Sequence, residues 1–517
     1  MGIPVFFKTL ITDYSHVIKP ISSQSVDCLF FDLNCLIHPC CAKVDNGNEQ
    51  EMITLIINTI HKLIKLTGSS FVYIAIDGPA PKAKMIQQRS RRHKSVLENK
   101  LWDTNAITPG TTFMNKLNEA LHKEFNTSNT VISDSMVPGE GEHKILQYIK
   151  QNNDVFQKKR CCIYGLDADL IVLSLVSGLK DIVLLRERTS FNIEQMDCEY
   201  LYLDINALKK EVLNEFPKLN ITKQTLINDY CFICFLLGND FMKHSPSLIL
   251  RYDGLYHLIQ AYKRCQEKHN HKFYLINTKT KSIIHWNHFK LFIQELTTDE
   301  TERMFDIYKI RLKQHAKYKR IYNNIQQNKN SVKATNSPNF AVEDIMRHKP
   351  IIFMDDEKII FKTKDLWYKR YNTYTISESH QDMSVNDLSI KTNQVCFAYL
   401  QSLVWTSHYY FSSCISQEWY YPFEFSPTLH DLSNYLQTNK RVTVKPCFDI
   451  CSTKQQLQFI FPKQSYHLSD ELTDELSDEL TDKLKDNSEL DDFTGFTKYY
   501  SLLKRYDWEC EPIIESN

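Results

Sequence analysis

No apolar run in this chain approaches the roughly 20 residues that a membrane-spanning helix needs, so no membrane partner is expected. Net charge is also missing: 62 Lys and Arg balance 62 Asp and Glu. The chain as a whole is therefore no polyelectrolyte, and any nucleic-acid binding must come from local patches. Its fifteen cysteines form no regular framework and follow no evident signal peptide, so a reduced intracellular setting, cytoplasmic, is expected. The lone CxxC of Cys231 and Cys234 has no second pair and no neighbouring histidine cluster, and reads as a buried helix face rather than a zinc site. Gly2 is followed by Phe6 where a myristoylation signal wants Ser or Thr. Glycine is scarce, 12 in 517 residues, and with abundant Asn, Lys and Ile this points to an A/T-rich coding genome.

What is present is material for two or three domains with real cores, since 42% of residues are apolar and 12% aromatic. The most informative stretch is DGPAPKAKMIQQRSRR, Asp77 to Arg92. It sets a carboxylate at the end of the apolar run FVYIAI and, past a Pro-bounded turn, a cationic segment. A helix there places Lys84, Gln88, Arg91 and Arg92 on one face, suited to holding an anion.

Three apolar runs share one grammar: a strand-like stretch, a terminal carboxylate, then turn or helix-starting residues. They end at Asp32, at Asp77, and at Asp167 with Asp169. Helix-length stretches separate them, so they read as parallel strands of an α/β sheet, in which ligands bind at the carboxyl ends. A single strand-end Asp is more often a helix cap or turn former; four in three such places weaken that reading. PGEGEHK adds Glu140 and Glu142, which converge on one cation only if Gly139 and Gly141 bend the backbone away from regular helix. Acids favoured at a helix start explain them equally well in isolation. LLGNDF adds Asp240. Seven oxygen donors exceed the needs of one structural ion and suit two Mg²⁺ or Mn²⁺ ions about 3.5–4 Å apart. Without cations, their mutual repulsion would raise pKa values. Two metals beside a basic helix point to a nuclease or phosphatase.

At this point FFDLNCLIHPC (Phe30 to Cys40), DGPAPKAKMIQQRSRR, ITPGTTFM, PGEGEHKI, GLDADLIVLSL and LLGNDFMKHSPSL resemble, in order, the motifs of the Xrn family of 5′→3′ exoribonucleases, as does the opening MGIPVFF. YLQSLVWTSHYYFSSCISQEWYYPFEFSP and the closing YDWECEPII resemble that family's second conserved region. The resemblance implies a mixed, largely parallel central sheet flanked by helices, a nuclease core akin to PIN and flap-endonuclease domains. Over it packs a second, mostly helical region. It implies a nuclease core at 1–310, a polar linker at 311–345, and at 346–517 a region closing the RNA channel, ending without the larger members' accessory domains. It further implies that Asp32, Asp77, Glu140, Glu142, Asp167, Asp169 and Asp240 hold the metals, and that Lys84, Gln88, Arg91 and Arg92 form a 5′-monophosphate pocket. His38 and Trp405 are implied to sandwich the first base. Core packing is the competing reading for Trp405, and a turn histidine before Pro39 for His38.

The expected activity is processive, two-metal hydrolysis of 5′-monophosphorylated single-stranded RNA to mononucleotides by a monomer, with decapping enzymes upstream. A structure-specific flap endonuclease and an inactive RNA-binding scaffold are the alternatives. The near-perfect four-residue repeat LSDELTDELSDELTDKLKD (468–486) reads as a solvated acidic helix or disordered insert. KRVTVKPCF and KQQLQFIFP, just before it, look like short strands.

Overall fold

Apolar, β-branched and aromatic runs too short for helices form the strands, and the sheet they build carries the site. The computed structural model describes residues 6–21, 25–96, 101–188, 198–304 apart from 217, 219 and 281, single positions between 306 and 313, 385–423, 426–439, 441–473, 498–499 and 511–512. Seven strands, β1 (Ile18–Pro20), β2 (Cys28–Asp32), β3 (Phe71–Ala75), β4 (Thr130–Ser133), β5 (Cys161–Tyr164), β6 (Ile182–Glu187) and β7 (Tyr200–Asp204), form one sheet in the order β1-β7-β6-β5-β2-β3-β4. The pairs from β4 through β6 are parallel, whereas β7 runs antiparallel to β6 and to β1. The sheet is thus mixed and largely parallel, as expected.

Every residue of β2 is buried, because helices cover both faces of the sheet. Alternation along the strand sends Cys28 and Phe30 into one core and Leu29 and Phe31 into the other. The second core lies under the helices Asn34–Cys41, Glu49–Thr67 and Thr112–Glu124. The first lies under Gly141–Gln151, Asp169–Val176 and Lys223–Phe235, and continues without a break into the helices Val385–Phe411 and Leu429–Thr438. The second region is therefore mostly helical and shares the core of the first. Cys231 and Cys234 are buried in the helix Lys223–Phe235, as read from the sequence.

From β2 the chain moves outward through β3 to β4, then returns to place β5 and β6 on the other side of β2. The sheet changes direction between β2 and β5, and the crevice beyond their carboxyl ends is where such sheets bind ligands.

Two expectations need correction. Neither stretch expected as a short strand is one: among the described residues KRVTVKPCF is irregular with a single bridge from Cys447 to Ser416, and in KQQLQFIFP Thr453–Ile460 is a helix. Its start is a reciprocal cap in which Ser452 and Gln455 each bond the other's backbone, and that local signal outweighs the β-like look of FIF. The acidic repeat begins as a helix whose Asp470 and Glu471 are exposed, but its Leu472 is fully buried in one cluster with Leu457, Ile460 and Phe461. The rest of the repeat and nearly all of the 311–345 segment lie outside the described residues. Among the described residues no helix is long and apolar enough to cross a membrane.

Candidate active site

The helix Lys82–Val96 leaves the loop after β3 with Lys84, Gln88 and Arg92 buried on one face and Arg91 exposed beside them. A second-region helix holds it there: Leu457 and Ile460 pack with Ala80 and Met85, and the Ala80 N–H donates to Gln456 Oε1 at 2.7 Å. Lys84 Nζ reaches across to Glu140 Oε1 at 2.6 Å and Asp240 Oδ2 at 2.7 Å. The basic helix and the acid cluster are therefore one site, with Lys84 as the joint.

Around that joint the acids gather at the strand ends. Asp32 ends β2, Asp77 stands two residues past β3, and Asp167 and Asp169 follow β5. Glu140 is the extended residue before the helix Gly141–Gln151, preceded by Gly139 at φ 107°, and Glu142 lies in the first turn. The irregular backbone expected from the two glycines is present. The Gly141 N–H donates to Asp77 Oδ1 at 2.8 Å. A Cβ added at Gly141 would stand 2.6 Å from Asp32 Oδ1 and 3.5 Å from Asp77 Oδ1. Only glycine lets these carboxylates and the helix start come together.

The electrostatics follow. Burial, then Asp77 and Asp167, raise the Asp32 carboxyl well above its ordinary range. Burial and Asp169 do the same to Glu142, and burial raises Glu140 against the pull of Lys84. Asp169 rises to about 7 through burial and Asp240. Two of the seven fall instead, Asp167 and, to about 2, Asp240, because neighbouring positive charges, Lys84 foremost at Asp240, together overcome burial. Buried acids whose charges are this poorly compensated fit a site completed by cations.

Two residues absent from the expected set stand among the ligand-type groups. Cys35 Sγ donates to Asp32 Oδ2 at 3.2 Å, and its donor atom, with those of Asp32 and Asp167, lies within 4.8 Å of the others. His143 forms a second such trio with Glu140 and Glu142. Burial lowers its pKa to about 3, so its ring is neutral. His143 lies inside PGEGEHK, whereas nothing in FFDLNCL marks Cys35 beyond its place one helical turn past Asp32. These groups could hold a metal. Glu142 Oε2 is buried without a hydrogen-bond partner, an orphan acceptor that suits a cation.

On the basic helix, one Arg92 terminal nitrogen donates to the Ile107 carbonyl at 2.8 Å, while Arg92 Nε and Gln88 Oε1 are buried with no partner. Burial, reinforced by Arg91, lowers the Arg92 guanidinium to about 9. Arg91, though exposed, is felt by Asp240. Lys84 departs from expectation, because its ammonium is engaged by two acids rather than free for an anion.

His38 is half-buried in the helix Asn34–Cys41. Trp405 is fully buried: its Nε1–H donates to the Ser416 carbonyl at 2.8 Å, and its ring stacks with Tyr409 at 4.7 Å and Trp419 at 5.6 Å. This corrects its expected place opposite His38, since an indole enclosed by core aromatics leaves no face for a base. Trp419, only partly buried, is the indole nearer solvent. It follows Glu418 and Gln417, which bond Lys82 at 3.3 Å through its ammonium and at 2.8 Å through its backbone N–H.

Comparison with known proteins adds the lineage. The chain is 26% identical to the 5′-3′ exoribonuclease 2 homolog of Drosophila melanogaster, the match covering 90% of this chain and 64% of that protein. It is 26% identical to the 5′-3′ exoribonuclease 1 of Saccharomyces cerevisiae, covering 90% and 40%. The chain thus spans less than two thirds of the length of these relatives. Among solved structures, the catalytic core of Rad2 in complex with DNA substrate aligns over 53% of this chain and 74% of its own at 15% identity, with a TM-score of 0.34. The XRN 5′-3′ exonuclease N-terminus matches residues 1–100 and 94–188, and the Xrn1 helical domain matches 220–365 and 357–494. With both parts in order, the second alone spanning over half its length, the chain belongs to the Xrn family.

Proposed function

We propose that this protein is a 5′→3′ exoribonuclease that takes 5′-monophosphorylated single-stranded RNA and releases mononucleotides. The observation that carries this reading is the joining, through Lys84, of an acid cluster at the sheet's switch point to a helix with buried, unpartnered polar atoms. The 26%-identical relatives bear exoribonuclease names, which supports the same reading.

Asp32, Asp77, Glu140, Glu142, Asp167, Asp169 and Asp240, with Cys35 and His143 beside them, are the residues to hold divalent cations, two Mg²⁺ or Mn²⁺ by donor count and type. Such cations supply activated water and stabilise the leaving oxygen of a phosphodiester. Arg92 Nε and the exposed Arg91 face a 5′-phosphate with charged donors, and Gln88 offers its amide. A terminal phosphate seated there is required before the next bond is reached, so attack proceeds from the 5′ end. Each cut presents a new 5′-phosphate to the same pocket. Upstream decapping would supply the first. Base stacking beside His38 passes from Trp405 to Trp419, which is only partly buried and follows Gln417 and Glu418, the residues that bond Lys82 at the helix start.

The test is a panel of RNAs ending in 5′-phosphate, 5′-triphosphate, cap or 5′-hydroxyl, each with and without Mg²⁺. Mononucleotides from the 5′-phosphate RNA alone, and only with Mg²⁺, are expected. Equal decay of the 5′-hydroxyl RNA, or release of long fragments, would overturn the proposal.

A further inference from the structure

Adjacent tyrosines on the long helix Val385–Phe411 point their hydroxyls at two different site acids. Tyr409 Oη–H donates to Glu140 Oε2, and Tyr410 bonds the Asp169 carboxylate. Both tyrosines lie in the second region, beyond the long segment outside the described residues, and both acids lie in the first.

We infer that Tyr409 and Tyr410 are positioning residues for the cation-binding acids, so that the helical region completes the metal site and does more than cover it. This rests on the reading of those acids as cation ligands.

The rings are fixed independently of the hydroxyls. Tyr409 stacks with Trp405 at 4.7 Å, meets His143 at 3.7 Å and stands edge-on to Phe241 at 5.0 Å. Tyr410 packs on Phe235 at 4.9 Å. Packing therefore sets where each hydroxyl lies, and the hydroxyl sets where the carboxylate lies.

Glu140 shows what this accomplishes. Lys84 holds its Oε1 and Tyr409 its Oε2, so both oxygens are oriented before any ion arrives. Lys84 also bonds Asp240, and Phe241, the next residue, packs against both tyrosines. Asp169, Glu140 and Asp240 are thus tied to one stretch of the long helix. Tyrosine suits the task, since it donates one hydrogen bond, adds no charge, and leaves the carboxylate its remaining lone pairs for a cation.

Changing each tyrosine to phenylalanine keeps the ring and removes the hydroxyl. Ser402→Ala is the control, because among the described residues the Ser402 hydroxyl on the same helix bonds only to that helix's own Ala398 and Tyr399 carbonyls. Mn²⁺ binding to the full chain, counted by electron paramagnetic resonance, and circular dichroism are read for the parent, Ser402→Ala and the Tyr409→Phe, Tyr410→Phe double variant. The double variant should bind Mn²⁺ about 10- to 100-fold more weakly, the cost of losing outer-shell partners, with an unchanged spectrum and with Ser402→Ala at the parent affinity. Parent-like affinity in the double variant overturns the inference, as does an equal loss in Ser402→Ala. Absence of Mn²⁺ binding by the parent overturns the underlying reading of the acids instead.

Discussion

Single atoms decide whether the acids can cooperate. Gly141 shows this best, since the place its missing Cβ would take lies 2.6 Å from a carboxylate oxygen of Asp32. Alanine there must push Asp32 or the helix start aside. Displacements near 1 Å at a reacting centre cost about 100-fold, so Gly141→Ala should lower Mg²⁺-dependent RNA turnover at least that much while the far-ultraviolet dichroism stays as in the parent. Turnover within a few-fold of the parent would mean that the two carboxylates need not be so close. Trp405 teaches the converse. Its residue type fits a base platform as well as a core, and only its neighbours, Tyr409, Trp419 and Phe241, distinguish the two.

At the level of elements, the helix Lys82–Val96 is amphipathic in an unusual sense, because its buried face carries two cations, Lys84 and Arg92, and the amide of Gln88 between them. Such a face is tolerated only with partners. Lys84 has acids, whereas Arg92 has one carbonyl and an unpaired Nε. A hydrogen bond to a charged group contributes about 1.5–3 kcal/mol, so Arg92→Gln should reduce the preference for 5′-phosphate over 5′-hydroxyl RNA by about 10- to 100-fold, measured as the ratio of kcat/KM values. An unchanged ratio would remove Arg92 from the pocket. The same helix depends on the one starting at the Ser452 cap. Leu457, fully buried between them, should cost about 2–5 kcal/mol on conversion to alanine, read from denaturant unfolding.

For the whole molecule, the acid cluster trades stability for function. A carboxyl whose folded pKa lies above its unfolded value keeps its proton in the fold after the unfolded chain has released it. Asp169, raised from 3.8 to about 7, therefore makes the metal-free protein less stable as pH climbs through that window, with the full penalty present above it. Asp32 and Glu142 shift in the same direction. With a chelator present, the melting temperature should be lower at about pH 8 than at about pH 5.5, and saturating Mg²⁺ should raise it more at the higher pH. Equal Mg²⁺ effects at both values would contradict this account.

Strands, acids and the basic helix were all readable from residue order. Apolar runs ending in Asp32, Asp77 and Asp167, and cations at i, i+7 and i+8 with Gln88 at i+4, are local patterns with local causes: strand burial, turn formation and helical periodicity. Seven acids implied cations because like charges do not crowd without them. Other features depended on distant chain segments meeting. Lys84 is claimed by Glu140 and Asp240, 56 and 156 positions away, so its pairing has no trace in its own stretch. Cys35 meets Asp32 within its own turn, but it meets Asp167 because the turn after β5 lies beside the helix that follows β2. Trp405 is enclosed, and Tyr409 and Tyr410 reach the acids, because the second region's helix continues the first region's core. Residue types and local periods established what kinds of groups the chain has to offer. Which of them touch was left to long-range packing, where burial of apolar surface brings together residues far apart in the chain.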